Sequence, residues 1–233
     1  MNIIVTGASQ GLGYALVRKL AQSGNHRIIA LSRNSRKLKE LQKTCAAAYE
    51  QSKVFPLPFD LAAADYQPAL QSILQCIDKV DILVNNAGLL VRKPFELMTD
   101  EDFDTIFNIN VKSVFRLSQL LLPYFSRPAH IVNISSMGAF QGSAKFPGLS
   151  LYSAAKGAVV VLTETMAEEL NDTGIKVNCL AFGAVQTEML SSAFPGYKAP
   201  IKPDEMANFV ADFALNGHRY FNGKTLPVSS STP

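Results

Sequence analysis

Short runs of branched apolar residues alternate with amphipathic stretches along the whole chain. The apolar runs fall at 2–6, 27–32, 53–58, 81–85, 130–135, 176–182 and near 224–228. They are rich in Val, Ile and Leu and lack polar alternation, as strands do when both faces of a parallel sheet are covered. The intervening stretches at 12–23, 35–47, 66–77, 100–125, 152–171 and 204–215 predict helices. Alternation from end to end predicts a single α/β domain over 1–233, a doubly wound sheet of about seven mostly parallel strands with helices on both faces. No linker, internal repeat or low-complexity stretch interrupts it. Pro227 lies inside the last strand and predicts a sheet edge there, because proline cannot donate to a ladder.

Composition acts mainly by exclusion. The formal charge of +3 is small for 233 residues, and Lys and Arg are scattered. The one basic cluster, 33–43, has the spacing of a solvated helix face, so nucleic-acid binding is not expected. Cys45, Cys76 and Cys179 lie far apart, without Cys-x-x-Cys or ligand-like spacing to the three His. No metal site and no disulfide framework is expected, and a reducing compartment is the natural home. The first residues run straight into a strand rather than a signal peptide, and no apolar stretch is long enough to span a bilayer. A soluble cytoplasmic protein without a membrane partner is expected.

In doubly wound sheets, ligands bind beyond the carboxyl ends of the strands, so the chemistry should sit just after strands. The first strand runs into Thr6-Gly7-Ala8-Ser9-Gln10-Gly11-Leu12-Gly13, followed by an amphipathic helix. Glycines there permit a tight turn and let backbone amides approach a pyrophosphate resting on the helix N-terminus. Such a turn can also be purely structural, but its place at the head of an alternating chain favours a nucleotide. The lack of Gly-Lys-Ser/Thr disfavours an ATP-type loop. The second strand ends in Ser32-Arg33, where sites that choose NAD usually place an acid on the ribose 2′-hydroxyl. A small hydroxyl and a guanidinium suit a 2′-phosphate instead, so NADP(H) is expected in preference to NAD(H). Gln10 brings no second charge to that phosphate.

Tyr152 and Lys156 are four apart at the head of a predicted helix, so phenol and ammonium share a face. A cation about 5 Å away, at an effective dielectric of about 20, would favour the phenolate by roughly 3 kcal/mol, or about two pKa units. That would bring the phenol toward the working range of a general acid/base. Most such pairs are only surface contacts, and this one gains force from its company.

Taken together, the motifs resemble the short-chain dehydrogenase/reductase family over essentially the whole chain. They are the Thr-Gly-xxx-Gly-x-Gly loop at 6–13, Asn-Asn-Ala-Gly at 85–88, Asn110, the Ser135-Ser136 pair and Tyr152-xxx-Lys156. The resemblance implies a Rossmann-type fold and hydride transfer between NADP(H) and a carbonyl or secondary alcohol. Tyr152 would be the general acid that protonates the carbonyl oxygen, and Ser136 would orient and polarise that carbonyl. Lys156 would lower the phenol pKa and bond the nicotinamide ribose, while Asn110 would hold a water linking Lys156 to solvent. Implied cofactor contacts are Gly7, Ser9, Gln10, Gly11, Leu12 and Gly13 in the loop, then Ser32 and Arg33, with Asp60 and Leu61 at the adenine. Asn86, Ala87 and Gly88 would follow the ribose, with Gly183, Val185 and Thr187 after the sixth strand, beside Tyr152 and Lys156. The physical demand agrees: hydride addition develops alkoxide charge, which needs donors already in place.

Several positions depart from the family pattern. Ser136 precedes Tyr152 by sixteen residues, a longer gap than is usual, so 141–149 is expected to form an extended loop walling the cleft. Ser135 is the rival hydroxyl and is expected to point back under the sheet. Phe182-Gly183 replaces Pro-Gly, either closing the nicotinamide end or giving an aromatic wall. The ending at 228–233 replaces an acidic-Gly-Gly pattern and puts the family's C-terminal subunit contacts in doubt.

Residues 188–202 fall where the family has its substrate lid. With Phe140, Phe146 and Phe182, the lid's Met189, Leu190, Phe194 and Pro195 suggest an apolar cleft, although lid packing alone would also account for them. The expected substrate is a small or medium, apolar, uncharged ketone or aldehyde. Surplus apolar residues on 100–125 and 152–171 predict a homodimer or homotetramer. The rival reading is a non-catalytic NADP(H)-binding sensor or scaffold, against which the intact Asn110, Ser136, Tyr152 and Lys156 argue. An epimerase or dehydratase relative would need an added substrate domain.

Overall fold

The computed structural model describes residues 1–229. Its strands are β1 (Asn2–Thr6), β2 (Arg27–Ser32), β3 (Lys53–Pro58), β4 (Val80–Asn85), β5 (Phe125–Ser136), β6 (Ile175–Phe182) and β7 (Thr225–Val228). Its helices are α1 (Gly11–Gln22), α2 (Ser35–Ala48), α3 (Gln67–Cys76), α4 (Asp100–Phe107), α5 (Ser113–Leu121), α6 (Ser150–Glu169), α7 (Glu188–Ala193) and α8 (Pro203–Asn216). The strands form one parallel sheet in the order β3-β2-β1-β4-β5-β6-β7. This is the Rossmann-type doubly wound arrangement, and β7, which contains Pro227, is an edge strand.

Both faces of the sheet are covered, which explains the unbroken apolar runs. In β1, Ile3 and Val5 join a core with Leu16 and Leu20 of α1 and Val210 of α8. Ile4 faces the other way, into a core with Ile73 of α3 and Leu117 and Leu121 of α5. The strand order reverses between β1 and β4, opening a crevice above their carboxyl ends.

Three elements differ from the sequence expectation. The helix at 100–125 is interrupted: α4 gives way to a wide π-type turn at Asn108–Lys112, then α5, then a 3-10 turn at Leu122–Tyr124. The cause is Asn110, whose amide donates to Ile106 O at 2.9 Å and to Leu89 O at 2.8 Å, anchoring the turn to the segment after β4. The strand expected at 130–135 starts at Phe125, which pairs with Val80 of β4. The short α7 lies within 188–202, where no helix was expected.

His130, on β5, is 1% exposed. Its Nδ1 faces Ala214 O at 3.0 Å and its Nε2 faces the Asn178 amide at 3.1 Å, which fits a neutral ring protonated on Nδ1. Burial drives its pKa down from 6.5 to about 4, and the neighbouring His218 adds to the lowering. Between these values the unfolded chain binds a proton that the folded chain refuses. Stability therefore falls as pH drops from 6.5 to about 4, by about 3 kcal/mol from this group, and no further below that. Denaturant melts at pH 7.5, 5.5 and 4.5 should show this slope, and His130→Gln should flatten it.

Candidate active site

The loop after β1 is shaped by backbone conformations that favour glycine. Gly7 and Gly11 have φ of +68° and +55°. A Cβ on Gly7 would lie 2.8 Å from Ala87 Cα, and one on Gly13 would lie 2.3 Å from Gly7 O. The loop is stitched to the segment after β4: Asn86 Nδ2 donates to Thr6 O at 2.9 Å, and the Ala87 amide donates to Thr6 Oγ1 at 2.9 Å. The result is a bare backbone cradle at the N-terminus of α1, the arrangement that accepts a phosphate chain. Beside it, Ser32 Oγ donates to Ser9 Oγ at 2.8 Å, with Arg33 exposed on the rim. Asp60 Oδ1 accepts from the Ala62 amide at 3.0 Å and shapes the turn after β3.

At the opposite end, α6 brings Tyr152 and Lys156 to the cleft. Lys156 is 4% exposed; its Nζ donates to Ile134 O at 2.9 Å and lies 5.9 Å from the centre of the Tyr152 ring. A buried chain of amides fixes α6 on the sheet. Asn85 Nδ2 donates to Asn133 Oδ1 and Asn133 Nδ2 to Thr163 Oγ1, both at 2.9 Å. Ser135 Oγ donates to Lys156 O at 2.8 Å and is buried, so it faces α6. Ser136 Oγ, which accepts from the Gly138 amide at 3.2 Å, borders the cleft. Asn110 is fully buried behind Gly88, where a Cβ would meet Asn110 Oδ1 at 3.1 Å and Lys156 Nζ at 3.5 Å.

One electrostatic expectation is reversed. The net shift of the phenol is upward in this geometry: burial pushes Tyr152 up to about 12 and the Lys156 ammonium down to about 8. Desolvation outweighs an attraction that the ammonium partly redirects to the Ile134 carbonyl. The phenol is therefore neutral at pH 7.

A cleft of about 940 Å³ joins the two ends, from Ser32 and Arg33 past the glycine cradle to Tyr152. Every residue expected to contact the cofactor lines it: Gly7, Ser9, Gln10, Gly11, Leu12, Gly13, Ser32, Arg33, Asp60, Leu61, Asn86, Ala87, Gly88, Tyr152, Lys156, Gly183, Val185 and Thr187. Ser136 lines it too, whereas Asn110 does not. Of the three aromatics expected outside the lid, Phe146 and Phe182 line the cleft and Phe140 does not. The last follows a tight turn at Met137–Ala139 that carries it past the opening. The sequence reading missed Leu89, Ile109 and Ser153 as lining residues. Adjacency to the motifs was their only signal.

Phe194 is gripped from two sides. The Arg92 guanidinium stacks 4.4 Å from its ring centre and donates to Ala193 O at 3.0 Å, while Phe146 meets it edge-on at 6.0 Å. Beyond this clasp lies a second hollow of about 1210 Å³, bordered by Arg92, Lys93 and Lys145. It shares Leu90, Phe146, Leu149 and Ser153 with the first. Among the described residues no helix is long and apolar enough to cross a membrane.

A family model described as short chain dehydrogenase matches residues 1–198. The chain is 36% identical over 192 residues to carbonyl reductase (NADPH) 2 of Sus scrofa, across 81% of this chain and 73% of that protein. It is 30% identical over 239 residues to a 3-oxoacyl-(acyl-carrier-protein) reductase of Thermotoga maritima, across 97% and 94% respectively. A 3-ketoacyl-(acyl-carrier-protein) reductase from Brucella melitensis, solved in complex with NADH, matches with a TM-score of 0.87 at 28% identity, covering 99% of this chain and 97% of that one.

Proposed function

The chain belongs to the short-chain dehydrogenase family and is an oxidoreductase of that family; from this we propose that it is an NADP(H)-dependent carbonyl reductase with Tyr152 as its general acid. The observation that carries this reading is one cleft holding a bare glycine cradle at one end and Ser136, Tyr152 and Lys156 at the other. The cradle, the elongated cleft and the polar cluster at its end fit a dinucleotide. When bound, that cofactor supplies the hydride.

Within this reading Ser136 holds the substrate oxygen at the cleft wall. Tyr152, neutral at pH 7, is in the form that donates, and its proton goes to that oxygen as negative charge develops. Lys156 places a cation behind the phenol and stabilises it once the proton has left. Asn110 holds the α4–α5 turn open beside Lys156, where a water would return the proton from solvent. Ser32 and Arg33, with no acid at the end of β2, favour NADP(H) over NAD(H). A pure sensor or scaffold would have no use for this proton path.

Phe146, Phe182, Met189, Leu190 and Phe194 favour a small or medium apolar ketone or aldehyde. The second reading is a carrier-bound 3-oxoacyl group, favoured by the named activity of the Thermotoga maritima relative and by the basic outer hollow. In both, 188–202 is the lid and Arg92 its latch. Arg92→Ala removes a cation–π contact and a charged hydrogen bond, and is expected to raise KM for the carbonyl roughly five- to thirtyfold. NADPH affinity should stay within about twofold, and steady-state kinetics separate the two. Phe103, Phe115 and Val161, exposed on α4, α5 and α6, support assembly as a homodimer or homotetramer through that face.

The test is NADPH consumption across ketones, aldehydes, quinones, sugars and a 3-oxoacyl thioester, with NADH in parallel. Turnover of an apolar ketone or aldehyde with NADPH preferred is expected. Binding without turnover anywhere would favour the sensor; turnover of the thioester alone would favour the second substrate reading.

A further inference from the structure

The first turn of α2 violates a local rule of helix chemistry. Asn34 caps the helix by accepting from the Lys37 amide at 3.0 Å, which places Arg36 and Lys37 at its second and third positions. Acidic residues are favoured there, because the helix N-terminus carries partial positive charge. This turn has none. Arg36 is compensated by Glu40 at 3.7 Å, but among the described residues Lys37 makes no ion pair.

Lys37 instead reaches across to the phosphate cradle. Its Nζ donates to Gln10 Oε1 at 2.9 Å. Gln10 is the N-cap of α1, yet its side chain makes no capping bond, and it lines the cleft beside Ser32 and Arg33. One ammonium, without a carboxylate, is thus parked over the rim that joins the ends of β1 and β2. A helix start that accepts two cations and no acid becomes favourable once an anion occupies that rim.

On the NADP(H) reading above, we propose that Lys37 is a specificity-determining contact for the 2′-phosphate, delivered from α2 and held ready by Gln10. The charge that position 10 itself lacks is supplied from the neighbouring helix. The ligand class is a ribose phosphomonoester; a free 2′-hydroxyl gives Lys37 nothing to neutralise.

Equilibrium titration by calorimetry tests this with NADP⁺ and NAD⁺ on wild type, Lys37→Gln, Lys37→Arg and Lys39→Gln. Lys39→Gln controls for loss of net charge on the same helix, and thermal melts confirm folding. The expected result is that Lys37→Gln weakens NADP⁺ about tenfold, leaves NAD⁺ within about twofold and flattens the salt dependence of NADP⁺ binding, while Lys37→Arg restores most of the affinity. NADP⁺ binding unchanged in Lys37→Gln, or both nucleotides weakened equally, would overturn the role of Lys37 and leave the cofactor reading standing. Wild type that prefers NAD⁺ would overturn both the role and the NADP(H) preference. Wild type that binds neither nucleotide would overturn the inference together with the function proposed above.

Discussion

Tyr152→Phe is expected to lower carbonyl reduction by about 10²–10⁴-fold while leaving NADPH affinity within about twofold. The substitution removes one oxygen and keeps the ring, so the packing of α6 is retained. What disappears is the neutral donor facing the cleft, held at about 12 by burial and therefore protonated throughout the physiological range. Ser136 remains on the cleft wall and can still polarise a carbonyl, which sets the residual rate. Kinetics under NADPH saturation, beside a binding titration, separate this loss from damage to the cofactor site. A variant with unchanged turnover would move the proton donor elsewhere.

Gly13→Ala should weaken dinucleotide binding by about a hundredfold and lower the melting temperature by several degrees. A Cβ at this position would sit 2.3 Å from the Gly7 carbonyl oxygen and 2.6 Å from Asn86 Nδ2. The first obstacle is backbone, which cannot rotate aside. The start of α1 must lift away from the cradle, and the two glycine turns lose their shape together. Gly157→Ala is the matched control: its Cβ would meet nothing closer than 3.9 Å, in the middle of α6. That change is expected to be neutral or stabilising by about 0.5–1 kcal/mol. Tryptophan-free fluorescence of bound NADPH and thermal melts read both effects.

The layout was legible because parallel strands buried on both faces leave continuous apolar runs, and because ligand-facing residues follow those runs. Gly7, Ser9 to Gly13, Asn86 to Gly88 and Thr187 all fall past a strand end, and all line the cleft. Features set by side chains reaching between distant segments were not legible. Asn110 splits one long helix because it bonds Leu89, twenty-one residues earlier, and amphipathic periodicity alone does not reveal that. Spacing placed Lys156 beside Tyr152, but the net direction of the phenol's shift is set by burial, and the ammonium also bonds the Ile134 carbonyl. Lys37 read as part of a solvated helix face until its ammonium was found on Gln10. The Arg92–Phe194–Phe146 clasp joins three loops that no local pattern connects.

The most direct test of the central claim is transfer of deuterium from NADPH labelled at the reactive C4 position, followed by mass spectrometry of the products from the carbonyl panel. The expected result is one deuterium on the carbinol carbon of at least one alcohol, formed by wild type and absent with Tyr152→Phe. Saturating NADPH binding with no label in any product across the panel would contradict the reductase and leave a nucleotide-binding protein in its place.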